Sequence, residues 1–263
     1  MTRPEPRADL AELSGYHSPQ LDVSIRLNTN ESPFPPPDRF VEAWTTALRE
    51  QALHRYPDRG ATALRDAIAR RVGQPAGRIF AANGSNEVLQ TLLLTYGGPG
   101  RTALVFEPTY ALHSHIARIT GTRSVTAPRG DDFRIDATHA VSVIEREAPD
   151  IVFICSPNNP SGTVEPRTTV EAILAAAPGL VVVDEAYGEF APESALDLVD
   201  DERPLVVTRT YSKVWSLAAL RLGFAVGPEW FVAELDKVKW SVPGKSAVIQ
   251  ARDALEEIDD GGF

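Results

Sequence analysis

The sequence of 263 residues has one cysteine, Cys155, and lacks the long apolar runs of a membrane protein. A single cysteine excludes an intramolecular disulfide framework and any metal centre built from cysteines alone. The apolar runs, such as residues 151–155 and 180–183, are far shorter than the roughly 18 residues of a membrane span. The first residues carry charges without an apolar core behind them, which is not the pattern of a signal peptide. The sequence therefore predicts a cytoplasmic protein with no membrane partner.

Basic residues are fewer than acidic residues. Lysine and arginine total 26 against 36 aspartates and glutamates, so the formal net charge is −10. Nucleic acids and anionic membranes bind basic surfaces, and neither is an expected partner of this chain. A small anionic ligand remains possible, because local arginines and helix N-termini can bind phosphate on an acidic protein. The apolar content of 43% and charged content of 24% are those of a globular protein of one or two domains.

Short β-branched runs alternate with helical stretches along most of the chain. The runs are continuous rather than alternating in polarity, so both faces of each strand should be covered by helices. This pattern predicts an α/β fold, with a mostly parallel sheet sandwiched between helices. The predicted strands are residues 103–106, 151–155, 180–183, 205–208 and 223–226, and the predicted later helices are residues 110–119, 137–148, 168–177 and 229–242.

The two ends of the chain differ from this middle part. Residues 1–36 are expected to form an N-terminal arm, which ends in the stiff, proline-rich segment Ser32-Pro-Phe-Pro-Pro-Pro37. Residues 37–242 are expected to form the main domain, and its first helix carries apolar residues on one face at helical spacing. Residues 243–263, which end in the polar stretch 256–263, are expected to be the start of a truncated small domain or a poorly ordered tail.

Polar clusters directly follow three of the predicted strands. They are Ser156-Pro-Asn-Asn-Pro-Ser-Gly162, Asp184-Glu-Ala-Tyr187 and Arg209-Thr-Tyr-Ser-Lys213. Ligands of open α/β sheets bind at the carboxyl ends of the strands, so the three clusters should meet in one crevice. No metal site is expected there, because His113 and His115 are two residues apart and would point to different faces of a helix. Cys155 is expected to be inert core.

With several further motifs, these clusters resemble the fold-type I pyridoxal-phosphate enzymes, specifically the class I/II aminotransferases. The resemblance runs from about residue 27 to residue 242, and it is most similar to the histidinol-phosphate aminotransferase group. The motifs that carry it occur in the family's order: Leu27-Asn-Thr-Asn-Glu31, Arg55-Tyr-Pro-Asp58, Asn83-Gly-Ser-Asn-Glu87, Glu107-Pro-Thr-Tyr110, Ser156-Pro-Asn-Asn-Pro-Ser-Gly162, Asp184-Glu-Ala-Tyr187 and Thr210-Tyr-Ser-Lys213 with Arg221.

The resemblance implies pyridoxal 5′-phosphate as cofactor, with Lys213 forming the Schiff base and shuttling the substrate proton. Asp184 would hold the proton on the pyridine nitrogen, although an aspartate after a strand is more often a turn or cap residue. Asn159 and Tyr187 would donate to the phenolic oxygen of the cofactor and so tune the proton affinity of the Schiff base. Tyr110 would stack on the pyridine ring.

The resemblance also implies a phosphate site and a homodimer. Gly84, Ser85 and Asn86 open a helix, whose free N–H groups and positive dipole end suit a dianion. The remaining phosphate ligands implied by the family are Thr210, Ser212 and Arg221, and Arg221 supplies a bidentate fork. Tyr56 would reach the phosphate from the neighbouring subunit, which places the active sites at a subunit boundary.

The implied activity is transamination between an amino donor and a keto-acid acceptor by a ping-pong mechanism. Decarboxylases and cyclising or oxidising enzymes share these motifs, and a catalytically weak, cofactor-binding remnant is a further alternative. Two motifs depart from the family's usual pattern: Val214 follows Lys213 where a small residue is usual, and the arm reads Asn30-Glu-Ser-Pro-Phe-Pro35. Relatives continue for about a hundred residues more, so a carboxylate-binding arginine of the small domain is expected to be missing.

Overall fold

The computed structural model describes residues 3–10, 13–15, 19, 21–52 and 54–239. Its strands are β1 (Ile79–Ala82), β2 (Thr102–Glu107), β3 (Arg123–Pro128), β4 (Ile151–Cys155), β5 (Leu180–Asp184), β6 (Leu205–Thr210) and β7 (Gly223–Val226). Its α-helices are α1 (Asp38–Arg49), α2 (Thr62–Val72), α3 (Ser85–Tyr96), α4 (Leu112–Ile119), α5 (Ala137–Glu147), α6 (Arg167–Ala176) and α7 (Glu229–Val238). The expected small-domain start or tail at 243–263 lies outside the described residues.

The seven strands form one sheet in the order β1-β7-β6-β5-β4-β2-β3. Strands β2 to β6 run parallel to one another, whereas β7 pairs antiparallel with both β6 and β1. The predicted α/β class with a mostly parallel sheet is thus confirmed. The five predicted strands are present, and β1 and β3 are additional.

The sheet has a hydrophobic core on each face, as expected for strands with continuous apolar runs. On β4, Val152 and Ile154 pack into one core while Ile151 and Phe153 pack into the other. The same alternation recurs along β5. Because side chains alternate across a strand, both faces of the sheet must be covered to bury such runs. Among the described helices, none is long and apolar enough to cross a membrane.

Helix boundaries differ from the predicted ones by a few residues. Helix α4 begins at Leu112 rather than at Tyr110, so Tyr110 lies in the turn after β2. Helix α7 ends at Val238, four residues before the predicted end, and residues 240–242 lie outside the described part. An apolar pattern does not fix the first and last residue of a helix.

Candidate active site

Two adjoining cavities lie at the carboxyl edge of the central strands. The inner cavity is lined by residues of the loops after β2, β4, β5 and β6 and of the start of α3: Ser85, Asn86, Tyr110, Cys155, Asn159, Asp184, Ala186, Tyr187, Thr210, Ser212, Lys213 and Arg221. The outer cleft shares several of these residues and adds the arm segment at residues 28–32. The three polar clusters of the sequence therefore meet in one crevice.

Lys213 stands where the inner cavity meets the outer cleft. Its Nζ donates a hydrogen bond to the backbone carbonyl of Thr29 at 2.7 Å and lies 5.6 Å from the centre of the Tyr187 ring. Burial lowers the pKa of the Lys213 amine; nearby Arg221 also lowers it, while Glu31 and Asp184 oppose the shift. A lowered pKa leaves a larger fraction of the amine uncharged, which is the form that acts as a nucleophile or base.

Asp184 ends β5 and is almost completely buried at the base of the inner cavity. Its Oδ2 lies 2.8 Å from Nε2 of the fully buried His113, and its Oδ1 accepts a hydrogen bond from the Ala186 amide at 3.1 Å. The His113 ring stacks on Phe153, with centroids 4.8 Å apart. These contacts fix the orientation of the Asp184 carboxyl group at the cavity wall.

An anion-binding corner, formed by Ser85, Thr210, Ser212 and Arg221, lines the inner cavity where α3 begins. Arg221 Nη1 donates to Ser212 Oγ at 3.2 Å, and the Ser212 amide donates to Thr210 Oγ1 at 3.2 Å. Together with Ser85 at the first turn of α3, these groups bring a guanidinium, hydroxyls and a helix N-terminus to one place. Such a donor set suits a phosphate dianion.

Two glycines make this corner possible. Gly84 has a φ of +85°, and a Cβ there would lie 2.5 Å from Arg221 Nη2, so the guanidinium occupies the space that a side chain would need. Gly223, at the start of β7, would place a Cβ 2.2 Å from the Ser85 amide nitrogen. The close approach of backbone and guanidinium therefore depends on the absence of side chains.

Three further predicted residues line the cavity walls. Tyr110 donates a hydrogen bond from its hydroxyl to Asn86 Oδ1 at 3.1 Å. Tyr187 Oη accepts one from Asn30 Nδ2 at 3.0 Å, which ties the arm to the site. Asn159 borders both cavities. Tyr110, Tyr187 and Asn159 thus line the same inner cavity as Lys213 and Asp184.

Two of the predicted residues do not line these cavities. Gly84 lies directly behind the anion-binding corner and contacts Arg221 instead. Tyr56 is fully exposed. Burial raises the pKa of Cys155 to about 12, which agrees with the expectation of an unreactive thiol although it borders the inner cavity.

The sequence reasoning missed His113, which it considered only as a metal ligand. His113 faces Asp184 across 71 positions of sequence. Its place three residues after Tyr110, in the helix that follows β2, did not reveal its buried partner. Among the described residues, no group of three or more metal-ligating side chains is arranged to hold a metal ion.

Comparisons with known proteins agree on one family. A family model described as aminotransferase class I and II matches residues 22–255. Histidinol-phosphate aminotransferase of Thermobifida fusca (strain YX) is 50% identical over 240 residues, which cover 89% of this chain and 65% of that protein. The protein of the same name from Corynebacterium efficiens is 44% identical over 236 residues, which cover 86% of this chain and 63% of that protein.

A solved structure shows the same architecture. Histidinol-phosphate aminotransferase from Sinorhizobium meliloti in complex with pyridoxal-5′-phosphate superposes with a TM-score of 0.80 at 28% identity, over 88% of this chain and 64% of that one. The chain spans slightly less than two thirds of the length of these three relatives. Since the family model matches most of its length, the chain belongs to the class I and II aminotransferase family.

Proposed function

We propose that this chain acts as a pyridoxal-phosphate-dependent aminotransferase of the histidinol-phosphate type. The observation that carries the proposal is that one cavity is lined by the Lys213 amine, the Asp184 carboxylate and the Arg221 guanidinium. These groups match the aldehyde, the ring nitrogen and the phosphate of the cofactor. The names of relatives at 44–50% identity support the substrate class, an amino donor of the histidinol-phosphate kind with a keto-acid acceptor.

The residues present fit the cofactor. When bound, pyridoxal phosphate supplies an aldehyde that a lysine can hold covalently and a protonated ring that takes up electrons from the substrate. Asp184 would keep the ring nitrogen protonated, because a buried carboxylate favours a positive charge beside it. The contacts with His113 and with the Ala186 amide hold the Asp184 carboxyl group in place for that role.

Lys213 would be the proton carrier at the substrate Cα. Its amine is half-buried, and burial lowers its pKa, so it can release and take up a proton nearer to neutral pH than a surface lysine. The hydrogen bond to the Thr29 carbonyl holds the amine at the junction of the two cavities, where a substrate would enter from the outer cleft.

The anion-binding corner would hold the cofactor phosphate. Ser85 and Asn86 supply the N-terminus of α3, while Arg221, Ser212 and Thr210 supply charge and hydroxyl groups. Charge-assisted hydrogen bonds of this kind fix a phosphate in orientation as well as in position. Tyr187 and Asn159 would donate to the phenolic oxygen, since a tyrosine hydroxyl that accepts from Asn30 can still donate its own proton.

We also propose a cytoplasmic homodimer whose arm, residues 1–36, packs on the partner. Between residues 21 and 27 the arm carries exposed apolar side chains at every second position, namely Leu21, Val23, Ile25 and Leu27. A row of exposed apolar residues favours burial against another protein surface. Tyr56 is fully exposed as well and would reach the partner's phosphate site. The single free cysteine suits a reducing compartment.

Borohydride trapping tests the cofactor site. The chain contains four lysines, Lys213, Lys237, Lys239 and Lys245, so peptide mass mapping can assign a reduced pyridoxyl group without ambiguity. We expect the label on Lys213 and its loss in Lys213→Ala, with Lys237→Ala as the matched control. A label on another lysine would contradict the proposed cofactor attachment.

A substrate screen tests the activity. Incubation with histidinol phosphate and a keto acid should produce the amino acid of that keto acid, with ping-pong kinetics. Release of carbon dioxide from amino-acid substrates, without formation of a new amino acid, would identify a decarboxylase instead. If the cofactor is trapped but neither a new amino acid nor carbon dioxide forms, the chain only binds the cofactor.

A further inference from the structure

A buried arginine–glutamate pair lies behind the wall of the inner cavity. Arg129 directly follows β3, and Glu165 directly precedes the proline that starts α6. Both side chains have no solvent-accessible surface, and Arg129 Nη1 donates to Glu165 Oε1. Charged side chains are almost never fully buried unless they have a specific partner or task.

Arg129 joins the carboxyl ends of two strands. Its Nε donates to the carbonyl of Phe106 at 3.0 Å, and its Nη2 donates to the carbonyl of Cys155 at 3.2 Å. Phe106 is the penultimate residue of β2, and Cys155 is the last residue of β4. The two loops that follow these strands carry Tyr110 and Asn159.

Glu165 closes the loop after β4 from its other end. Its Oε2 accepts a hydrogen bond from the Ile135 amide at 3.1 Å, and its own amide donates to Ser156 Oγ at 2.9 Å. The first and last residues of segment 156–165 are therefore fastened to each other and, through Arg129, to β2.

Within that segment, Asn158 binds the loop after β2. Its Oδ1 accepts from the Thr109 hydroxyl at 3.1 Å, and its Nδ2 donates to the Pro108 carbonyl at 3.1 Å. The Asn158 amide donates to the Thr163 carbonyl at 2.8 Å. Asn158 Nδ2 also donates to Ser161 Oγ at 2.8 Å, so Asn159 lies within a hydrogen-bonded turn.

Stability alone does not account for such a pair. Two buried charges lose their hydration, and apolar residues of similar volume are often equally stabilising. What an apolar pair cannot do is bind backbone carbonyls at the ends of β2 and β4 at the same time. The gain lies in a defined position of the strand ends and of their loops.

We propose that Arg129 and Glu165 are positioning residues that hold Asn159, and through Asn158 also Tyr110, in place against the cofactor ring. This inference rests on the proposed function for the identity of the ligand. Neither residue touches the cavity, so both act through the loops that they brace. Asn159 would then donate to the phenolic oxygen from a fixed position rather than from a mobile loop.

The double variant Arg129→Met/Glu165→Met tests the inference without leaving a buried charge. Glu165→Gln is the second variant, since it keeps an acceptor for the Ile135 amide while it removes the charge. Arg167→Met is the matched control, because Arg167 and Glu171 form an exposed pair on the adjacent helix α6. Two quantities are measured: amide hydrogen exchange of residues 156–164 in the apo-protein, and the pH midpoint of the absorbance change of the cofactor-loaded protein.

We expect exchange in residues 156–164 to be about tenfold faster in the double variant. The pH midpoint should rise by about half a unit, because a donor that withdraws from the phenolic oxygen leaves more negative charge to hold the nearby proton. Glu165→Gln leaves the Arg129 charge buried without its counter-charge and should change both quantities in the same directions. If either quantity in the double variant equals that of Arg167→Met, the positioning role is refuted.

The apo-protein measurement separates this inference from the proposed function. Absence of a label on Lys213 would contradict cofactor binding, whereas the exchange rates of the apo-protein do not depend on the cofactor. Unchanged exchange with a labelled Lys213 would contradict only the positioning role of Arg129 and Glu165.

Discussion

Replacing Asp184 with asparagine should keep the fold and remove the charge that would face the cofactor ring. The asparagine oxygen can still accept from the Ala186 amide, as Oδ1 does now at 3.1 Å. Its NH₂ group can donate to Nε2 of His113 if the histidine carries its proton on Nδ1 instead, an atom that has no hydrogen-bond partner among the described residues. We therefore expect the apo-protein to lose only about 1–2 kcal/mol of its free energy of unfolding.

The effect on turnover should be larger. A close opposite charge shifts a pKa by about 1–3 units, at about 1.4 kcal/mol per unit. Loss of the Asp184 charge therefore removes about 1.4–4 kcal/mol of preference for the protonated ring. If all of it enters the barrier of the proton-transfer step, kcat falls between about tenfold and a thousandfold. The burial of Asp184 favours the upper end, because water screens its charge little.

The assay is steady-state transamination beside thermal unfolding of the apo-form. Asp197→Asn is the matched control, since Asp197 is exposed in the 3₁₀ turn at Ala195–Leu198, away from the cavities. Near-normal kcat in Asp184→Asn would refute the assignment of Asp184 as partner of the ring nitrogen. A loss of activity that parallels unfolding would also refute the reasoning, because it would make the effect structural.

Three other outcomes follow from the geometry. Gly223→Ala should lower stability by about 1–3 kcal/mol and weaken cofactor binding, because the new Cβ would meet the Ser85 amide at 2.2 Å. Gly15→Ala is the control, since among the described residues no atom lies within 4 Å of a Cβ there, and equal unfolding temperatures of the two variants would contradict the close approach at Gly223. The pKa of Lys213 is lowered in the folded state, so between that pKa and about 10.4 the unfolded chain binds one proton more than the folded chain. Over this pH range the apo-protein should gain stability relative to Lys213→Met as the pH rises. Parallel pH profiles of the two proteins in thermal unfolding would disprove this. Tyr56→Ala mixed with Lys213→Ala should recover part of the activity if Tyr56 acts in the partner's site, and sedimentation of a monomer at micromolar concentration would count against that arrangement.

Local pattern was enough for the fold class and for the three strand-end clusters of the cavity lining, whereas Ser85, Asn86, Tyr110 and Arg221 were implied by the resemblance to a family. The continuous apolar runs at Ile151–Cys155 and Leu180–Asp184 predicted buried parallel strands, and both are present. The polar residues that follow them lie together because parallel strands end at the same edge of a sheet. That rule needs only the order of strands and clusters along the chain, which is why Asp184 and Lys213 could be placed in one crevice.

Strands with weaker patterns escaped prediction. Strand β3 at Arg123–Pro128 lies at the edge of the sheet and is mostly exposed or half-buried, so it has no continuous apolar run. Strand β1 at Ile79–Ala82 is short and ends in two alanines, which favour helix over strand, so its apolar run does not identify a strand. The antiparallel direction of β7 was equally hidden, because a residue pattern records which faces are buried and not the direction of the neighbouring strand.

The sequence by itself determined that the chain is an α/β protein, which polar clusters follow its strands, and to which family those clusters are similar. Only the tertiary structure decided which distant residues support them. His113 meets Asp184 across 71 positions, and Arg129 meets Glu165 across 36. Such contacts depend on how helices and loops pack on the sheet, and local spacing carries no information about that packing. A histidine or an arginine therefore looks the same in the sequence whether it faces solvent or lies buried against the one carboxylate that it orients.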